Sequence, residues 1–195
     1  MMNTPTRLTF LFALCALLAA CATGGKLQTA GNTEVLGLRV TTTLDWARYT
    51  SSRQETWTID GTALNQLRII RHIKPREHVF LLGKERKNQP QRPWFKPGAR
   101  PDELQDLLLA ALREQGWSEV DAEGLRPAKL GGTDGLRFEF RMAQGNGLRY
   151  SGMAAIAESN GLLTLVYWQA PAEYYYGRDA AAVSALIDSL SPAAP

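Results

Sequence analysis

The sequence predicts an α+β domain in which a mostly antiparallel sheet packs against helices. Residues 136–142 alternate apolar and charged side chains, as a half-buried strand does, and the turns that follow predict a three-stranded meander. Two other stretches, one after Pro101 and one near the C-terminus, repeat apolar residues at helical spacing. The predicted order along the chain is strand, hairpin, helix, meander, helix.

The first 20 residues are similar to a lipoprotein signal peptide. Arg7 precedes an apolar run that is too short to span a bilayer. Leu18-Ala19-Ala20-Cys21 then matches the bacterial lipobox, so we expect cleavage before Cys21 and lipid attachment to its thiol. The alternative is an ordinary signal peptide, cut at an Ala-x-Ala site, that leaves Cys21 free.

Composition indicates one globular domain with nearly balanced charge. The chain has 195 residues, of which 45% are hydrophobic and 21% charged, and its net charge is +3. Any attraction to anions must therefore come from local clustering of charge. Its two cysteines are Cys15, in the signal peptide, and Cys21, which leaves the mature domain no thiol for a disulfide.

The predicted organisation has three parts, which are a signal peptide at residues 1–20, a lipidated flexible tether at residues 21–34 and a single α+β domain at residues 35–191. The tether prediction depends on the small and polar residues, including three glycines, that follow Cys21. The domain is expected to begin with a strand in which Leu36, Leu38 and Val40 alternate with less apolar neighbours.

A short aromatic corner is expected at residues 44–49, before a hairpin. Asp60-Gly61, a dipeptide favoured in tight turns, separates the stretches 55–59 and 64–73 and predicts an antiparallel pair. Pro75 then predicts a bend or a strand edge.

Residues 83–101 lack hydrophobic periodicity and contain four prolines, so we predict a long excursion from the domain. Six cations surround an aromatic pair with only Glu85 to oppose them. The predicted anion-binding or partner-binding residues are Lys84, Arg86, Lys87, Arg92, Trp94, Phe95, Lys96 and Arg100. Such a segment suits anionic lipid headgroups, lipopolysaccharide phosphates or an acidic protein, and no nucleic acid is expected. The alternative is a solvated, mobile loop.

Both helices carry recognisable end signals. The first is expected to begin with Asp102 and Glu103, which suit the positive end of the helix dipole, and to end before Gly116. A short strand is predicted at 125–129. The second helix is expected to begin at Asp179 as its N-cap.

The stretch from Gly135 to Ser191 resembles the end of the PsbP-like superfamily, in which antiparallel strands lead through a Tyr/Ala/Pro connection to a last helix. Leu44-Asp45-Trp46 and the hairpin at Asp60-Gly61 are similar to its beginning. The resemblance implies an α/β/α sandwich with a central antiparallel sheet over about residues 35–191. The superfamily includes the extrinsic photosystem II proteins and a Ran-GTPase-binding import factor, which implies a partner-binding module without a shared catalytic site.

The sequence lacks the usual catalytic motifs. His72 and His78 are its two histidines, and on one continuous strand they would lie about 20 Å apart, which favours structural histidines over metal ligands. No serine lies in a nucleophile-elbow motif, and the glycines at 131–135 do not form a phosphate-binding loop. We therefore predict no catalytic residue, no metal site and no cofactor.

An aromatic platform is a second possible binding site. Tyr174, Tyr175 and Tyr176 with Arg178 suit a sugar or a peptide, since aromatic rings supply contact area and arginine stacks on them. The alternative, that these residues seat the last helix on the sheet, is favoured because consecutive aromatic side chains cannot all face water cheaply.

The leading hypothesis is a lipid-anchored envelope protein that faces the periplasm and binds or helps to assemble a partner without catalysis. The expected partner is an envelope protein or an anionic lipid or glycolipid. Ala22 after the lipidated cysteine resembles lipoproteins sorted to the outer membrane of Gram-negative bacteria, whereas in a Gram-positive organism the domain would lie outside the plasma membrane.

Two alternatives stay open. An envelope hydrolase acting on cell-wall or lipid substrates requires a cleft in which His72 or His78 meets a carboxylate or hydroxyl group. A carrier of a small apolar ligand requires a cavity between the sheet and the helices.

Overall fold

The structure is a computed structural model that describes residues 25–193. The predicted signal peptide, Cys21 and the first part of the predicted tether lie outside the described residues. The elements are numbered in chain order, as follows: β1 Lys26–Gln28, β2 Gly31–Val35, β3 Leu38–Thr42, β4 Trp46–Thr50, β5 Gln54–Thr58, β6 Gln66–Ile73, α1 Pro101–Glu114, β7 Ser118–Leu130, β8 Thr133–Ala143, β9 Arg149–Ser159, β10 Leu162–Pro171, a π-helical turn Ala172–Tyr176, α2 Gly177–Ser189 and β11 Ser191–Pro192.

Eight strands form the central sheet, in the order β1-β4-β5-β6-β10-β9-β8-β7. Every neighbouring pair is antiparallel. β7, β8, β9 and β10 are consecutive in sequence and adjacent in space, which is the arrangement that short turns impose. The segment from β6 to β7 contains α1 and crosses one face of the sheet before the meander begins.

One face of the sheet packs against α1 and residues 74–100. The side chains that alternate inward from β8 and β9, such as Phe138 and Ile156, meet Leu108 and Leu112 of α1 in one buried cluster. α1 has the expected acidic first turn, Asp102 and Glu103, and ends before Gly116, whose φ of 92° suits a residue without a side chain.

The other face packs against α2 and a small second sheet. Val166 and Trp168 of β10 lie in a buried cluster with Val183 and Ile187 of α2. Strands β2, β3 and β11 form the second sheet, which closes the same cluster through Val40. The molecule is therefore an α/β/α sandwich around an antiparallel sheet, and the predicted α+β class is confirmed.

The predicted tether is wrong for residues 26–34. Lys26–Gln28 pairs with β4, and Gly31–Val35 pairs with β3. The predicted strand that starts at Val35 is instead divided by a turn at Leu36-Gly37, with φ values of 49° and 75°. Strands β1 and β2 are rich in exposed polar residues because they lie at sheet edges. They therefore lack the apolar alternation that identifies a strand.

Three further predictions need correction. The aromatic corner at 44–49 is mostly strand β4, in which Trp46 is buried. The short strand at 125–129 is part of the 13-residue edge strand β7. Asp179 is not an N-cap, because it lies inside α2 and is buried against Arg178. The predicted antiparallel pair around Asp60-Gly61 is confirmed as β5 and β6, although the connecting loop is wider than a tight turn.

Candidate functional site

The predicted excursion is a folded part of the domain. Residues 76–78 lie between two extended pieces of chain, with a backbone bridge from Glu77 to Lys84 on one side and from His78 to Trp94 on the other. Phe95 donates its backbone N–H to the Glu77 carbonyl at 2.9 Å and accepts from the Arg76 N–H at 2.8 Å. These backbone contacts hold the beginning and the later part of the excursion against residues 76–78.

Trp94 and Phe95 are core residues. Trp94 is 4% exposed and Phe95 is fully buried, in the same cluster as α1. The Trp94 indole N–H donates to the Gln89 carbonyl at 2.7 Å, which pins the outer part of the loop to its base. The predicted insertion of this aromatic pair into a partner or a membrane is therefore wrong, because Phe95 is fully buried and Trp94 exposes only 4% of its surface.

A buried histidine joins the excursion to the end of α1. The His78 ring is 0% exposed, and its Nε2 lies 3.0 Å from Oε2 of Glu114, the last residue of α1. The other ring nitrogen, Nδ1, accepts the backbone N–H of Phe80 at 3.0 Å. Arg92 Nε donates to the second oxygen of Glu114 at 2.7 Å. Sequence reasoning missed Glu114, because 36 residues separate it from His78.

These contacts determine the charge states of the pair. An Nδ1 that accepts a backbone N–H is unprotonated, so Nε2 carries the proton and donates it to Glu114. Burial lowers the pKa of His78, although the Glu114 carboxylate acts in the opposite direction. Burial favours neutral Glu114, but hydrogen bonds from Arg92 and His78 hold the pKa of Glu114 below its usual range.

The pair has no open position for a reacting group. A general base needs a ring nitrogen within reach of substrate, and both nitrogens of His78 are occupied inside the protein. The other histidine, His72, is exposed, and its ring forms no hydrogen bond with a carboxylate within residues 25–193. Within residues 25–193 the hydrolase alternative thus has a histidine–carboxylate pair, but the imidazole of that pair is buried and both of its nitrogens are occupied.

The buried neutral imidazole predicts a loss of stability in acid. The pKa of His78 is lowered in the folded state, so protons bind better to the unfolded chain, and the free energy of unfolding falls as pH drops below about 6.5. We expect urea midpoints to fall more between pH 7.5 and 5 for the wild type than for His78→Gln. The pKa of His72 is also lowered. His72→Gln is therefore the matched control, which shows how much of the pH dependence comes from His72 and not from His78. Equal pH dependence in wild type and His78→Gln would contradict the assignment.

The cations of the excursion fall into two groups. Arg92 is paired with Glu114, and Arg100 pairs with Asp102 at 2.9 Å and caps α1. Four others are exposed and form no salt bridge within residues 25–193, namely Lys84, Arg86, Lys87 and Lys96. We call these four residues the basic ridge.

The basic ridge has a rigid base. Lys84 and Trp94 occupy bridges on opposite sides of residues 77–78, so their backbones are about two strand spacings, ~10 Å, apart. Arg86 opens a turn that Gln89 closes by donating to the Arg86 carbonyl at 2.9 Å. A surface cleft of about 480 Å³ lies between residues 90–99 and α1, and Lys96 is the one ridge residue that lines it. The positive charge is thus held in place by the core and not carried on a free loop.

Most of the predicted aromatic platform packs against the rest of the domain. Tyr176 stacks on the buried Trp168 ring at 5.1 Å, whereas Tyr174 is 63% exposed. The Arg178 guanidinium lies 5.2 Å from the Tyr175 ring centroid and donates to Asp179 at 2.8 Å and to Asp60. Its hydrogen bonds hold the pKa of Asp60 below its usual range. Arg178 therefore ties the β5–β6 loop to α2, and Tyr174 alone of the three rings faces mostly outward.

Within the described part of the chain, no group of three or more His, Cys, Asp or Glu side chains is placed to hold a metal ion. None of the helices in the same range has the length and apolar character needed to span a membrane. The two core clusters on either side of the sheet are filled by side chains of 6% exposure or less, so the interior described here offers an apolar ligand little room.

No protein-family model and no curated protein matches the sequence. Solved structures do share its fold, which is similar to the α+β folds of PsbP and Mog1p. Cyanobacterial PsbP from Synechocystis sp. PCC 6803 is similar at a TM-score of 0.53 and 12% identity, over 88% of this chain and 95% of that chain. The Ran-binding protein Mog1p of Saccharomyces cerevisiae is similar at 0.52 and 8% identity, over 84% and 96%.

The chain also matches a protein from Bacteroides thetaiotaomicron at a TM-score of 0.48 and 10% identity, and it spans 50% of that protein's length. At these identities the PsbP and Mog1p likenesses establish a common fold. They confirm the fold that the resemblance to the PsbP-like superfamily implied, and they identify no shared site.

Proposed function

We propose that the chain is a lipid-anchored cell-envelope protein whose folded part is a non-catalytic module that binds or assembles a partner on the periplasmic side. The basic ridge carries this proposal. Four cations without an acidic partner, held in place by a buried loop base, form a prepared surface for an anionic group. Lipid attachment at Cys21 and location in the outer membrane are supported by the signal sequence and by Ala22.

A rigid loop favours binding over a role in solubility alone. An ordered loop loses little conformational entropy when a partner docks, whereas a mobile one must be ordered at the expense of affinity. The His78–Glu114–Arg92 contacts and the buried Trp94 give the ridge that order before any partner arrives. Its partner is expected to be an acidic envelope protein or an anionic lipid or glycolipid.

The test is in-cell crosslinking and recovery of the acylated protein with the four ridge cations changed to serine. Exposed ion pairs contribute roughly 0.5 kcal/mol each, so loss of four is expected to weaken partner binding about 30-fold. The control changes four surface cations outside the ridge, Arg39, Arg126, Lys129 and Arg149, which removes the same net charge.

Loss of the partner in the ridge variant alone supports the proposal. Retention of the same partner by both variants would refute the ridge as the contact surface. Equal loss from both variants would show that net charge and not this site governs the interaction.

A further inference from the structure

The folded domain begins very close to the predicted lipid anchor. Gly25 already lies against the sheet, since a Cβ added there would be 2.9 Å from the Tyr49 ring and 3.2 Å from Cβ of Ala47. Lys26 then pairs with Arg48 in the first strand. The part of the chain between Cys21 and the fold is therefore limited to residues 22–24.

This placement limits the distance between the lipidated residue and the folded domain. The four residue steps from Cys21 to Gly25 span at most about 14 Å, at roughly 3.6 Å per residue. A tether that continued to residue 34, as its composition suggested, would have reached about 47 Å by the same rule. A lipid on Cys21 thus holds the β1 edge of the sheet next to the headgroups of its own bilayer.

The outer end of the sheet also carries exposed apolar side chains. Leu27 is 67% exposed and Tyr49 is 42% exposed. Leu27 pairs with Ala47 across β1 and β4, and Ala47 and Tyr49 are two residues apart, so all three share one face of the sheet. α1 packs at the opposite end of the sheet, on β7 and β8, and leaves this face uncovered.

The chemistry of this face suits a membrane interface. Tyrosine has an apolar ring with a polar hydroxyl and is enriched at the headgroup level of bilayers. Exposed Lys26 adjoins the patch and forms no salt bridge within the described chain, so it is free to meet anionic headgroups. Two apolar side chains would bind a vesicle weakly by themselves, but the anchor makes the contact intramolecular and so raises its effective concentration.

We propose that the face formed by Leu27, Ala47 and Tyr49, the anchor-side patch, rests on the phospholipid surface of the bilayer that holds the Cys21 lipid. This inference depends on lipidation of Cys21 in the proposed function. The sheet order places β7 seven strand spacings from β1, about 34 Å away. The domain is then oriented, with the β1 edge on the lipid and the β7 edge directed away from it.

The test uses the acylated full chain, reconstituted into vesicles of phosphatidylethanolamine and phosphatidylglycerol that contain a headgroup-nitroxide lipid. Leu27→Cys or Tyr49→Cys places a single fluorescent label on the patch, because Cys21 is blocked by lipid and Cys15 is removed with the signal peptide. Leu125→Cys is the matched control, an exposed strand leucine on β7. We expect nitroxide quenching at least threefold stronger at positions 27 and 49 than at 125.

A second variant separates orientation from simple attachment. Insertion of 12 Gly/Ser residues between residues 24 and 25 adds a reach of about 40 Å and is expected to reduce quenching at position 27 to the level at 125. Equal quenching at 27 and 125 in the vesicle-bound protein without the insertion would overturn the orientation and leave the anchor intact. Failure of the purified protein to sediment with vesicles would refute lipid anchoring, and with it both proposals.

Discussion

Changing Phe95 to alanine is expected to lower the free energy of unfolding by about 4 kcal/mol, as is usual for truncation of a buried phenylalanine. The ring is fully buried beside α1 and its loss leaves a cavity in the cluster on that face of the sheet. The measurement is urea denaturation of the mature chain in detergent, followed by tryptophan fluorescence.

The neighbouring Lys96→Ala is the matched control. Lys96 is exposed, and surface substitutions of this kind stay within about 0.5 kcal/mol of the wild type. If Phe95→Ala were destabilised by less than about 1 kcal/mol, the excursion would not be part of the core. If the expected loss is found, replacement of residues 84–100 by a flexible linker would remove core packing together with the ridge, so the ridge has to be tested by point substitutions.

The parts of the fold that the sequence predicts well are those in which one element supplies its own signal. α1 has an acidic first turn, an apolar stripe and a terminal glycine within one segment. The strands of the meander bury one or both faces, so alternation or a continuous apolar run identifies them. Each of these signals is local, and each was read from neighbouring residues.

The parts that were missed depend on partners far away in the chain. β1 and β2 are strands because β4 and β3 offer backbone hydrogen bonds, and their own side chains are mostly exposed. β7 contains Gly124 and Pro127, which disfavour a strand. A register shift between Glu123 and Arg126 accommodates Gly124, and the edge position of β7 tolerates Pro127. In β1, β2 and β7, pairing with another strand therefore outweighs the low strand propensity of the local sequence.

Prediction of the candidate site from the sequence is limited in the same way. The basic residues were visible as a local excess of charge, but their division into paired and unpaired groups was not. Glu114 neutralises Arg92 across 22 residues and accepts from His78 across 36. The excursion also lacks a hydrophobic period that would reveal its burial, because Trp94 and Phe95 enter the core from irregular chain. An aperiodic, proline-rich segment can therefore be as fixed as a helix when a few of its side chains are buried.

Gly152→Ala is the other substitution expected to have a large effect, because the central sheet leaves no room for a side chain there. A Cβ at this position would lie 2.2 Å from Cζ of Phe140 and 2.5 Å from the Trp168 carbonyl oxygen. Phe140 is 1% exposed and closes the cluster on the α1 side, so neither the ring nor the neighbouring strand can move freely. Overpacking of a close-packed core typically costs 1–3 kcal/mol, and we expect a loss of about 3 kcal/mol in the free energy of unfolding.

Gly177→Ala is the contrasting substitution, since the same added methyl group meets no atom within 4 Å at the start of α2. There alanine is expected to leave stability unchanged or to raise it by up to about 1 kcal/mol, through its greater helix propensity. Because the clash at Gly152 is with the Phe140 ring as well as with backbone, the double variant Gly152→Ala/Phe140→Leu should be less destabilised than the sum of its single changes. A Gly152→Ala protein as stable as the wild type would show that β8, β9 and β10 pack less tightly than this arrangement requires.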